Sequence, residues 1–144
     1  MRLVAQANSQ LQPVLFEAGS LGASLPARDL YVSADHAMFL DSYLIPAWML
    51  INGTTIRCHR PRENVRYFHI ELDTHEIIFA EGAATETFLD DDSRNIFHNE
   101  AEFHALYPGP RPLGRFCAPR IEHGLEIEAI RRSLAQAAVR PIAA

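Results

Sequence analysis

Seven histidines fall within 144 residues: His36, His59, His69, His75, His98, His104 and His123. Imidazole titrates near neutral pH, so it can take up and return a proton or bind a metal. Acyl transfer is the first chemistry to weigh. Val32-Ser33-Ala34-Asp35-His36-Ala37 places a hydroxyl three residues before a histidine, directly after a β-like run. Both side chains can then face one peptide bond. Histidine can protonate a departing amide nitrogen, and the hydroxyl can hold or polarise the amide. Ser-x-x-His by itself is a common spacing. Metal binding is the second chemistry. His69, Glu71, Asp73 and His75 offer ligands at alternate positions, and zinc needs three or four at tetrahedral geometry. Against it, His75-Glu76-Ile77-Ile78-Phe79 lacks the second histidine of a zincin helix, and there is no Cys-x-x-Cys.

Composition prunes the alternatives. All 13 basic residues are arginine. Without lysine there is no Schiff base, no P-loop and no Ser–Lys dyad. A formal charge of −5 does not describe a nucleic-acid binder. Two cysteines, Cys58 and Cys117, are too few for a disulfide framework. No 18-residue apolar run spans a membrane, and Met1 to Asn8 does not read as a signal peptide. Asp90-Asp91-Asp92 reads as a solvated acidic turn rather than a calcium loop, because Asp-x-Asp-x-Asp-Gly spacing is missing. Arg57, Arg60, Arg62 and Arg66 read as a basic surface loop.

These groups must be positioned by a β-rich body. Pro13–Glu17, Asp29–Ser33, Ala37–Leu40, Tyr43–Ile45 and Thr54–Cys58 read as short strands. Asp41-Ser42 and Asn52-Gly53 are turn signals between them. Pro46 opens a helical turn over Ala47–Ile51. Val65 to Leu72 is the most informative strand. Alternation gives it one face of Val65, Tyr67, His69, Glu71 and Asp73, expected to be wet or catalytic. Its other face is Arg66, Phe68, Ile70 and Leu72, expected to meet the core. Ile77–Ala80 reads as a buried strand, and Ala84–Phe88 as a weaker one. After Asp92 the character changes. Glu100–Leu106 reads as a short helix, then a proline-rich linker runs to Pro119. Leu125–Ala138 is a helix with an apolar stripe of Ile127, Ile130 and Leu134.

Three ordered stretches then resemble the bacterial branch of the Hint superfamily, the Hedgehog/intein self-processing domains. Asp29-Leu30-Tyr31-Val32-Ser33-Ala34-Asp35-His36-Ala37 is similar to that family's Thr/Ser-x-x-His block. Tyr43-Leu44-Ile45-Pro46-Ala47 through Leu50-Ile51-Asn52-Gly53 is similar to its LIPA…LVNG segment. Tyr67-Phe68-His69-Ile70-Glu71-Leu72-Asp73-Thr74-His75-Glu76 through Ala80-Glu81-Gly82 is similar to its Y-x-H-x-E-L-x-x-H…AEG block. The tail from Phe103 to Leu134 also resembles the segment that such proteins carry after this block. The resemblance implies a horseshoe β-fold of two pseudo-symmetric halves. It also implies a reaction in which a cysteine opening the domain converts a peptide bond to a thioester. Ser33 and His36 match the activating block, and His75 matches a second histidine late in the domain. With Asp73, they are the candidate catalytic residues.

The sequence departs from that pattern in one place that matters. Of the 32 residues before Ser33, none is cysteine, and a thiolate is what makes an N-to-S shift feasible near neutral pH. Phe97-His98-Asn99 resembles the end of a splicing intein, yet Glu100 stands next where Cys, Ser or Thr is needed. Splicing is not expected.

The expectation is a mainly β, partial Hint-type fold over residues 1–92, the C-terminal portion of the family fold, with a helical, proline-rich extension over 93–144. It is an autoprocessing domain inactive as this fragment, single-turnover rather than a turnover enzyme, with no cofactor and no metal. The upstream polypeptide in cis is its partner, with no nucleic acid and no membrane, and homodimers can form through exposed strand edges. The rival readings are a non-catalytic protein-binding module and a metal-dependent hydrolase using His69 and His75.

Overall fold

A computed structural model describes residues 2–9, 12–60, 65–89, 100–109 and 114–139. The fold is mainly β. Its strands are β1 (Arg2–Ser9), β2 (Val14–Phe16), β3 (Leu30–Val32), β4 (Ala37–Leu40), β5 (Tyr43–Pro46), β6 (Ile56–Cys58), β7 (Val65–Glu71), β8 (Ile77–Ala80) and β9 (Ala83–Glu86). A 3-10 turn covers Ala47–Leu50, and two helices come after the strands: α1 (Glu100–Leu106) and α2 (Leu125–Val139).

All strand pairs are antiparallel. They form a β1-β7 ribbon, a β3-β2-β6 sheet and a β5-β4-β9-β8 sheet. Two hairpins build the last sheet, and both turn on residues with positive φ. Asp41 and Ser42 lie at φ 49 and 68, Glu81 and Gly82 at φ 49 and 79. Positive φ at both central positions matches the right-handed twist of the flanking strands. Gly82 is needed for space as well, since a Cβ there would lie 2.8 Å from Leu25 Cδ2. The other turn signal acts through a side chain: Asn52 Oδ1 accepts the N–H groups of Thr54 and Ile56 at 2.9 and 3.0 Å.

The core joins the two larger sheets to α2. Val14, Phe16, Met38, Ile45, Leu50 and Ile56 are buried together with Ile130 and Leu134. The α2 stripe falls where its spacing predicts, with Ile127, Ile130 and Leu134 all buried. Helix α2 therefore packs on the same core as the strands. Before it, the chain runs alongside β5. The Leu44 N–H donates to Pro119 O at 2.8 Å, and the Ile121 N–H donates to Leu44 O at 2.9 Å.

Two expectations are corrected. On β7 it is Tyr67 and Glu71 that are buried, while Phe68 is 54% exposed. Alternation holds, but the faces are reversed. Tyr67 and Glu71 point inward from β7, and the His69 ring lies 5.6 Å from that of His36, so the interior beneath this strand takes polar side chains and an apolar–polar alternation assigns its faces the wrong way round. Strand β8 is not a buried strand: it ends its sheet, and Phe79 is 73% exposed. Strand β1 is an addition that the N-terminal sequence did not signal. The acidic run at 90–92, Arg62, His98 and Asn99 lie outside the described residues.

Candidate functional site

His36 sits in the turn that leaves β3 and enters β4, and every peptide group around it is tied down. The His36 N–H donates to Ser33 O at 3.1 Å. From the 3-10 turn, the Ala47 N–H donates to His36 O at 2.9 Å and the Trp48 N–H to Ala34 O at 3.0 Å. Thr85 Oγ1 donates to Ala37 O at 2.8 Å. A proline-initiated turn placed directly after β5 thus supplies donors to the preceding turn, which explains why the two stretches occur together. Burial lowers the His36 pKa to about 4, against the pull of Glu86 and with help from His69, Arg120 and His75. At neutral pH His36 is uncharged. Its ring lies 5.6 Å from that of His69. Burial also lowers His69, again against Glu86. The His69 ring meets Phe88 edge-on at 6.3 Å.

Glu86, at the end of β9, is the hub. Its Oε1 accepts the Ala37 N–H at 2.8 Å and Arg120 Nη1 at 3.1 Å. Its Oε2 lies 3.0 Å from His75 Nε2. Burial alone would push Glu86 up. The bonds from His75 and Ala37, with the charges of His36 and Arg120, outweigh it and hold Glu86 below the usual carboxylate range. His75, between β7 and β8, has a fully buried side chain. Its Nδ1 accepts the Cys117 N–H at 2.9 Å. That assigns the ring proton to Nε2, donated to Glu86. Both His75 nitrogens are therefore engaged, which makes this ring a support. Phe116 packs edge-on against it at 5.4 Å.

Of the sequence candidates, the structure brings His36 and His75 into one cluster through Glu86. Ser33 flanks it, half-buried, with its carbonyl on His36 and its hydroxyl outside the hydrogen bonds of the described residues. Asp73 is exposed on the bend after β7 and does not join the cluster. Among the described residues, no group of three or more His, Cys, Asp or Glu is placed to hold a metal ion. Both thiols belong to exposed residues. Burial first, then the charges of Glu86 and Glu76, pushes the Cys117 thiol up, so it is a poor thiolate.

Glu86 and Arg120 are the members that spacing did not reveal. Glu86 lies on the run read as the weaker strand Ala84–Phe88, and Arg120 stands just after the proline-rich linker that ends at Pro119. The one available hint is Ala83-Ala84-Thr85-Glu86-Thr87, where a carboxylate ends a run of small residues on a strand. Comparison with known proteins gives one match: a family model described as Hint domain covers residues 2–92, more than half of the chain. No curated protein and no solved structure matches.

Proposed function

The chain belongs to the Hint domain family, and on that footing we propose that His36 is the proton-transfer group of a self-processing acyl shift. The observation that carries this is a desolvated, neutral histidine whose two flanking peptide groups are both held by hydrogen bonds, three residues after Ser33. Neutral His36 accepts the proton of an attacking thiol as sulfur bonds to the peptide carbonyl carbon. The imidazolium so formed is a strong acid, since its pKa is about 4. It gives the proton to the amide nitrogen as the C–N bond breaks. The products are a thioester and a free amine. Ser33 Oγ is close enough in sequence to polarise the amide. His75, held by Glu86 and the Cys117 N–H, supports the geometry. The upstream polypeptide in cis is the segment processed.

The resemblance places the thiol on a cysteine ahead of the turn, and the first cysteine of this sequence is Cys58. The 144-residue polypeptide is therefore expected not to cleave a fusion partner joined before Met1, with or without dithiothreitol. Thiol-dependent cleavage there would overturn the expected inactivity. Adding a cysteine-led N-terminal Hint segment in trans should restore thiol-dependent release, and His36→Ala should abolish it. Release by His36→Ala at the unmodified rate would remove His36 from the reaction. The second reading, a protein-binding surface, is favoured by the exposed Phe68 and Phe79. It requires partner binding that His36→Ala leaves unchanged.

A further inference from the structure

We propose that Arg120 is a positioning residue for His36, so that the segment after the matched residues 2–92 completes the site. The proposal rests on His36 being the proton-transfer group, and it adds a residue outside the matched part of the chain. Arg120 Nη2 donates to Asp35 O at 2.8 Å, the carbonyl just before His36. Its Nη1 donates to Glu86 Oε1 at 3.1 Å, and the same oxygen accepts the N–H of Ala37, just after His36, at 2.8 Å. One guanidinium–carboxylate pair thus grips both peptide groups that flank the histidine. Only a planar fork can reach a carbonyl and a carboxylate together at such geometry; an ammonium on a flexible stem cannot hold both directions.

Arg120 is itself fixed. Its backbone bridges to Leu44 as a parallel extension of β5, through the two bonds of Leu44 to Pro119 and Ile121. Its guanidinium carbon lies 5.7 Å from the centre of the Phe116 ring. Just beyond, α2 buries Ile127, Ile130 and Leu134. This strap, Pro119 to Ile121, is thus anchored on both sides of Arg120. A mere surface ion pair would be exposed on both partners, whereas Arg120 and Glu86 side chains are 20% and 10% exposed.

The test uses the whole chain with three substitutions: Arg120→Gln, Arg120→Lys, and Ile56→Val as a control that lowers core stability without touching the turn. Native-state amide exchange and histidine-ring NMR titration are read on each. In both Arg120 variants the Ala37 amide should exchange roughly tenfold or more faster relative to the β2 amides. The His36 midpoint should rise from about 4 toward its ordinary 6.5. The Ile56→Val control should change neither. If Arg120→Lys keeps both at their unmodified values, charge alone suffices and positioning is refuted. If Arg120→Gln fails to fold, Arg120→Lys decides. In the trans-processing assay, Arg120→Lys should slow release about tenfold with an unaltered dependence on thiol. Absence of release by the unmodified protein when the cysteine-led segment is supplied in trans would defeat the proposed function, while the exchange and titration readings would still decide the role of Arg120.

Discussion

His36 pays for its place in the interior with acid sensitivity. Its pKa is lowered from 6.5 to about 4. Below pH 6.5 the unfolded chain binds a proton that the folded chain refuses, so stability falls as pH drops from 6.5 to about 4. Above 6.5 the group contributes nothing further. The full shift corresponds to about 3 kcal/mol, and His69 acts in the same direction. Glu86 is depressed below its ordinary 4.5, so its contribution is present above that pH and is lost as pH falls through its folded value. Denaturant midpoints measured from about pH 7.5 to 4 should therefore decline steadily, and His36→Gln should flatten the decline. A pH-independent midpoint in the unmodified protein would contradict the buried, neutral state. Glu86→Gln tests the hub. A neutral amide accepts less from Arg120, His75 and Ala37 and presents N–H groups to donors. It should cost roughly 3 kcal/mol, read as a Tm lower by about 10 °C near neutral pH.

At the scale of elements, the site is assembled from ends rather than from one motif. The exit of β3, the 3-10 turn after β5, the end of β9 and the strap before α2 each give one layer. Helix α2 holds the last of these in place by burying Ile127, Ile130 and Leu134. Leu134→Ala should cost about 2–4 kcal/mol in thermal denaturation, because a buried leucine truncated in a packed core leaves a cavity. A loss under about 1 kcal/mol would mean that the helix only rests on the surface. The His36 titration should stay in place in this variant while it is folded, since among the described residues no α2 side chain bonds within the cluster. The elements themselves were largely legible. Asp41-Ser42 and Asn52-Gly53 marked turns that the backbone makes, and Ile127, Ile130 and Leu134 marked the buried face of α2. β7 was legible as a strand, but its inward face was not. Hydropathy assumes an apolar interior, and here the interior beneath β7 contains the histidine cluster.

For the whole molecule, the two edges of the largest sheet differ. β5 is flanked by the strap through Leu44, whereas β8 ends the sheet and carries the exposed Phe79. Among the described residues no strand pairs with the outer edge of β8, and such an edge with an aromatic side chain favours pairing with another chain. Light scattering over a concentration series should show mass rising above that of one chain, and Phe79→Lys should reduce the rise. A single-chain mass at all concentrations would remove the expected dimer. Helix α2 shares one core with the strands through Ile130 and Leu134, with Ile121 packed against it. Among the described residues no helix is long and apolar enough to cross a membrane.

Some features of this protein are local, and sequence by itself determined them. Apart from β1, strand and helix placement come from periodicity and turn chemistry. The pairing of a hydroxyl and a histidine across one turn is a matter of spacing, and so is the presence of His75 late in the body. Other features depend on which segments meet, and only the tertiary structure decided them. Glu86 lies 50 residues after His36, and Arg120 a further 34, so no spacing rule links them. Yet hydrogen bonds join them around the peptide groups of that histidine. A buried charge must find its partners wherever the chain brings them, and that requirement is visible only once the fold has closed.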